Sequence, residues 1–126
     1  MTLKYWMVIK GIVCVFSGIA FMVVPELVFN NLLGMNLQEG GILMSRLFGS
    51  AFLFEGTVIW SSRNASRLDP VMRALIPTIV VIDIIGSVVT LLASLNGVWN
   101  ALGWIFVGLY LLFTSVFVYY LFARSR

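Results

Sequence analysis

The sequence predicts an all-α protein: a bundle of four transmembrane helices, with both termini on the cytoplasmic side and a short interfacial helix between the first two. Three observations predict it. Of 126 residues, 61% are hydrophobic and 10% charged, whereas soluble domains carry about 45–50% apolar and about 25% charged residues. A soluble fold this short hides only part of its surface, so lipid is the expected solvent. The apolar residues fall into four runs, each near the roughly 20 residues that a helix needs to cross hydrocarbon. Basic residues, finally, gather on alternate connections, as the positive-inside bias requires.

The first span is expected over about residues 5–24, closed by Pro25, which lacks the N–H to continue a helix ladder. Lys4 and Lys10 before an apolar run resemble a signal peptide. The run continues to Val24, however, and Pro25-Glu26 is no small-residue cleavage site, so a retained span is expected. In the mixed segment after it, Leu27, Val28, Asn31 and Leu32 share helical spacing and Gly34 offers a stop, which reads as a helix lying in the membrane interface. Gly40-Gly41 then punctuates. The second span is expected over about residues 42–60, followed by a polar turn-rich loop from Ser61 to Pro70. The third is expected over about 74–95 with Pro77 in its first turn, and the fourth over about 100–122 after the tight-turn pair Asn96-Gly97. Four spans use roughly 80 residues, so residues 1–126 read as one membrane domain with no separate soluble part.

This topology puts Lys4, Lys10, Arg63, Arg67, Arg73, Arg124 and Arg126 on one face and Arg46 alone on the other. Seven against one predicts cytoplasmic termini, in a prokaryotic cytoplasmic (inner) membrane. The sequon Asn64-Ala65-Ser66 then faces the cytoplasm and has no meaning as a glycosylation site. Tyr5, Trp6, Trp60, Tyr119 and Tyr120 are expected at the cytoplasmic boundary, and Trp99 and Trp104 at the outer one. The net charge of +3 is read as this bias rather than as a nucleic-acid footprint.

Ionisable groups inside lipid are functional candidates because they are costly there. Asp83 lies about ten residues beyond Arg73, roughly 15 Å along a helix, near mid-membrane. It heads a polar stripe of Asp83, Ser87, Thr90 and Ser94 on one face, with Gly86 alongside. The stripe suits a proton, cation or polar-ligand site, or a carboxyl that joins helices by hydrogen bonds. Glu55 and Lys10 sit at similar depth in the second and first spans. They are expected to pair if those spans are neighbours, as a relay with Asp83 or a structural ion pair; the alternative is that Lys10 snorkels to the cytoplasmic surface. Arg46 falls on the face opposite Glu55 and is expected to meet Glu39, Glu26, a ligand or a lipid phosphate. Lys10, Cys14, Ser17, Gly18 and Phe21, and likewise Asn100, Gly103, Val107, Tyr110 and Thr114 with Gly108 nearby, read as packing seams. Cys14, in apolar surroundings, is expected to be unreactive.

The chain has one cysteine and no histidine, and no phosphate loop, zinc spacing or nucleophile elbow. No catalytic residue, cofactor or metal site is expected, and the protein is not read as an enzyme. Its expected partners are the bilayer and other membrane subunits or itself.

Several segments look familiar in their order: Arg46-Leu47-Phe48-Gly49, then Asp69-Pro70 with Arg73-Ala74, then Asp83 with Gly86, then Asn100-Ala101-Leu102-Gly103-Trp104 leading to Leu109-Tyr110-Leu111-Leu112. Together, over Pro25 to Phe122, they resemble a group of uncharacterised small prokaryotic integral membrane proteins with four helices. The resemblance implies the four-span topology and no activity. Glu55 departs from it, since that position is apolar or small in the group. Small multidrug-resistance exporters also have four spans in about this length but use a carboxylate in the first span, where this chain offers only Lys10. No quinone-site motif of four-span quinone-linked accessory proteins is matched. The leading expectation is a structural or accessory subunit of a membrane complex, or a self-associating bundle, because several helices carry small-residue seams. The alternative is a small proton-coupled transporter or carrier using Asp83. A third is an intramembrane enzyme or a lipid- or pigment-binding protein using Arg46 and Glu55.

Overall fold

A computed structural model describes residues 3–66 and 69–123. Arg67, Arg124 and Arg126, three of the basic residues counted toward the cytoplasmic face, lie outside the described residues. Four long helices run up and down: α1 (Leu3–Val23), α2 (Glu39–Ser61), α3 (Pro70–Leu95) and α4 (Trp104–Ala123), the last entered through a 3-10 turn, Ala101–Gly103. All four segments are long and apolar enough to cross a membrane. Their outer faces are apolar: Phe16 is 77% and Phe54 73% exposed. The outward hydroxyls of Ser50, Thr57, Thr78 and Ser115 each bond a carbonyl three or four residues back on their own helix. A polar group facing hydrocarbon has no other partner.

Helix ends follow local chemistry. Asp69 caps α3, its carboxylate accepting from the Val71 N–H at 2.9 Å, and Pro70 takes the first helical position. This cap starts α3 four residues before the expected boundary, so Pro77 lies two turns inside the helix and not in its first turn. Similarly, α2 begins at Glu39, and Gly40-Gly41 form its first turn rather than a break. Glu39 there complements the helix dipole. The segment expected as a short interfacial helix includes a six-residue π-helix, Leu27–Leu32. Gly34 stops it in a left-handed conformation, φ +72°.

Pro25 also leaves a trace in the packing. Without its N–H the Phe21 carbonyl loses its helical donor, and the Ser45 hydroxyl from α2 donates to that carbonyl instead at 3.1 Å, in a buried position. Ser45→Ala is expected to cost about 1–2 kcal/mol, the penalty of a buried unsatisfied carbonyl. Denaturant titration of the variant in mild detergent checks this.

The helices form two antiparallel hairpins, α1–α2 and α3–α4, with much the closest contact within each hairpin. Glycines set the first. Gly11 packs against Gly56, and Gly18 against Gly49, each pair seven residues apart along its own helix. Seven residues is two helical turns, so both contacts fall on one face. In the second hairpin the Tyr110 ring covers Gly86, and Ser87 and Thr114 hydroxyls approach at 3.4 Å. The connections meet at one end. Asn100 donates from its backbone to the Leu33 carbonyl and from its side chain to the Leu32 carbonyl, both at 2.8 Å, while its Oδ1 caps the 3-10 turn at Leu102.

At the opposite end, which carries the start of α1 and the α2–α3 loop, all four helices share a core that includes Leu3, Met7, Ile59, Met72, Ile76, Phe113 and Phe117. Tyr120, near the end of α4, also belongs to this core, 5% exposed.

Candidate functional site

The hairpin register decides what happens halfway along. Because Gly11 lies against Gly56, their neighbours Lys10 and Glu55 face each other. Lys10 is buried, and its ammonium lies 3.5 Å from Glu55 Oε1. Asp83 projects from α3 into the same point and accepts a 2.8 Å hydrogen bond from Lys10 Nζ. The Phe113 ring of α4 completes the enclosure, its centroid 4.6 Å from Nζ. Lys10 therefore does not snorkel, because the cluster supplies inside the bundle the partners that water would offer outside it.

The cluster is unevenly satisfied. It holds two carboxylates against one ammonium. Asp83 Oδ2 and Glu55 Oε1 are buried and accept no hydrogen bond among the described residues. Asp83 is fully enclosed, 0% exposed, whereas the Glu55 side chain retains 13%.

Toward the end where Asn100 ties the connections together, the hairpins separate. The close helix pairings do not include α2 with α3, and between these two lies a cleft of about 630 Å³. That is within the usual range for small-molecule sites, about 300–1,000 Å³. Its depth is aromatic, lined by Phe21, Phe29, Phe52, Trp99, Phe106 and Tyr110, with the half-exposed Phe48 at its rim. Its mouth is formed by outward-facing Ala51 and Phe54 on α2 and Ile82, Ile85 and Val89 on α3. Thr78, Thr90 and Trp99 spend their side-chain donors on neighbouring groups. Glu55 is the charged side chain in the wall, and the Tyr110 hydroxyl makes no hydrogen bond among the described residues.

The residues singled out from the sequence are thus partly assembled. Lys10, Glu55 and Asp83 form one cluster. Ser87 and Thr90 lie on the same face of α3, but their hydroxyls bond the carbonyls of Asp83 and Gly86, so they serve the helix rather than the carboxyl. Ser94 accepts from Trp99. Arg46 is exposed and forms no ion pair among the described residues, so the expected contacts with Glu39 and Glu26 are absent. The sequence reading missed the cleft and its aromatic lining. Phe48, Phe52, Phe21 and Phe106 come from three helices, and no single-helix pattern marks them as one surface. The matched seven-residue glycine spacings of α1 and α2 were the available signal for the register. No protein-family model, curated protein or solved structure matches the chain.

Proposed function

We propose that the protein is an integral membrane protein of a prokaryotic cytoplasmic membrane that takes a lipid-soluble molecule into the cleft between α2 and α3. The observation that carries this is the cleft itself, deep, aromatic and open toward the lipid-facing surface between the two helices. Helix pairs in membranes associate by close packing, and both hairpins here pack tightly. A gap of this size between them calls for an occupant. Since lipid tails are as apolar as the cleft, a specific occupant must gain from shape, ring contacts and the few polar groups in the wall.

The termini and the α2–α3 loop face the cytoplasm in this reading. Lys4, Arg63, Arg67, Arg73, Arg124 and Arg126 support that side and Arg46 alone the other. Lys10 is left out of the count because it is bound in the buried cluster. Of the small residues behind the accessory-subunit reading, Gly11, Gly18, Gly49, Gly56, Gly86 and Gly103 abut other parts of this chain, whereas Gly108 on α4 meets nothing within 4 Å. Carriage through Asp83 meets a geometric obstacle, because that carboxyl is clamped to Lys10 and does not line the cleft.

The test uses purified protein in phosphatidylcholine nanodiscs and the neutral probe 9-anthracenemethanol, read by energy transfer from tryptophan, Trp99 being in the cleft wall. Saturable transfer above that of empty nanodiscs is expected. The double variant Ala51→Phe/Val89→Phe, which fills the mouth, is expected to weaken it about tenfold or more, roughly 1.4 kcal/mol, with the thermal midpoint unchanged. Transfer that never saturates, or that ignores the double variant, overturns the reading.

A further inference from the structure

Resting on that reading, we propose that the cleft selects a lipophilic monocation: an amphipathic amine whose aromatic or polycyclic body fills the phenylalanine-lined space and whose ammonium meets the carboxylate of Glu55.

The first support is charge. With its groups ionised, the cluster carries one negative charge more than its single ammonium offsets, and a buried uncompensated charge is costly. Among the described residues, the groups facing the cluster on every helix provide no second cation: Lys10 and Cys14 on α1, Glu55 on α2, Asp83 on α3 and Tyr110 on α4. Arg46 is nine residues along α2 and exposed.

The second support is the pattern of hydrogen bonds. Among the described residues, Lys10 bonds Asp83 at 2.8 Å and stands 3.5 Å from Glu55, whose Oε1 accepts no hydrogen bond. Of the three charged groups, only Glu55 lines the cleft. Oε1 is enclosed beside Lys10, so a donor arriving through the mouth between α2 and α3 reaches Glu55 at its other oxygen, Oε2, which is not among the buried atoms and takes no hydrogen bond among the described residues.

The third support is the lining. Faces of aromatic rings attract cations and stack against flat apolar bodies, and aromatic side chains make up the depth of this cleft. A neutral lipid would use the rings and leave the carboxylate unanswered; an anionic one would be repelled by it.

The experiment compares two probes on one ring system, 9-(aminomethyl)anthracene, cationic at neutral pH, and 9-anthracenemethanol, in phosphatidylcholine nanodiscs with empty-disc subtraction. The amine is expected to bind wild-type protein about tenfold or more tighter than the alcohol. Glu55→Gln, which removes the surplus charge while keeping the shape, is expected to abolish that preference, bringing the amine's affinity down to the alcohol's on the same variant. Equal affinities on wild type overturn the inference without need of any variant, and so does a preference that survives Glu55→Gln. In either case the cleft reading stands, because the alcohol still binds. If neither probe binds saturably, both proposals fall.

Discussion

Replacing Lys10 by methionine is expected to destabilise the protein by about 3–5 kcal/mol, the usual cost of stripping one partner from a buried ion pair. The loss exceeds that of one hydrogen bond because two carboxylates stay behind. Asp83 is wholly enclosed and Glu55 nearly so, so neither can turn to water. The packing is not at fault, since methionine has about the volume of the lysine stem. The triple variant Lys10→Met/Glu55→Gln/Asp83→Asn is expected to recover most of the loss, because neutral groups of similar shape leave no charge to compensate. Titration with a denaturing detergent, followed by tryptophan fluorescence, separates the two outcomes. A Lys10→Met protein as stable as wild type would show that the ammonium does not hold these helices together.

Gly18→Val is expected to cost about 3 kcal/mol, at the upper end of the range for overpacking, and to open the α1–α2 hairpin. A Cβ at Gly18 would lie 2.7 Å from the Gly49 carbonyl oxygen and 2.8 Å from the Leu53 nitrogen. Both are backbone atoms, so no side-chain rotation relieves the clash, and the helices must part. Parting them also undoes the register that brings Lys10 to Glu55. Gly108→Val is the control. A Cβ there meets nothing within 4 Å, and its effect is expected within about 0.5 kcal/mol. If both valine variants melt alike, the glycine seam does not set the hairpin.

These two predictions concern residues that the sequence exposed to different degrees. Gly18 was visible as part of a small-residue seam, yet its partner was not, because a seam names a face and not what covers it. Lys10 and Glu55 were paired in expectation from similar depth. The companionship of Asp83 was harder to see. Its hydrogen bond to Lys10 joins residues 73 apart in the chain, and it forms only because one hairpin docks on the other. That Asp83 sits near the middle of α3 was readable from helical rise alone. The start of α3 differs from the expected one for a local reason: Asp69-Pro70 caps the helix four residues before the expected boundary at about residue 74, so Pro77 falls two turns inside it.

What the sequence determined by itself is the number of helices, their approximate ends and their apolar character. These rest on interactions within single segments, such as hydrophobic run length, proline placement and side-chain caps, and the solvent enforces them without reference to any partner. Only the tertiary structure decided that the hairpins close at one end and separate at the other, and that the resulting cleft is walled by aromatics with one carboxylate among them. The free energy that chooses between helix faces in lipid is van der Waals packing, not transfer out of water. An apolar residue bound for the cleft and one bound for the bilayer therefore look alike until the helices are assembled.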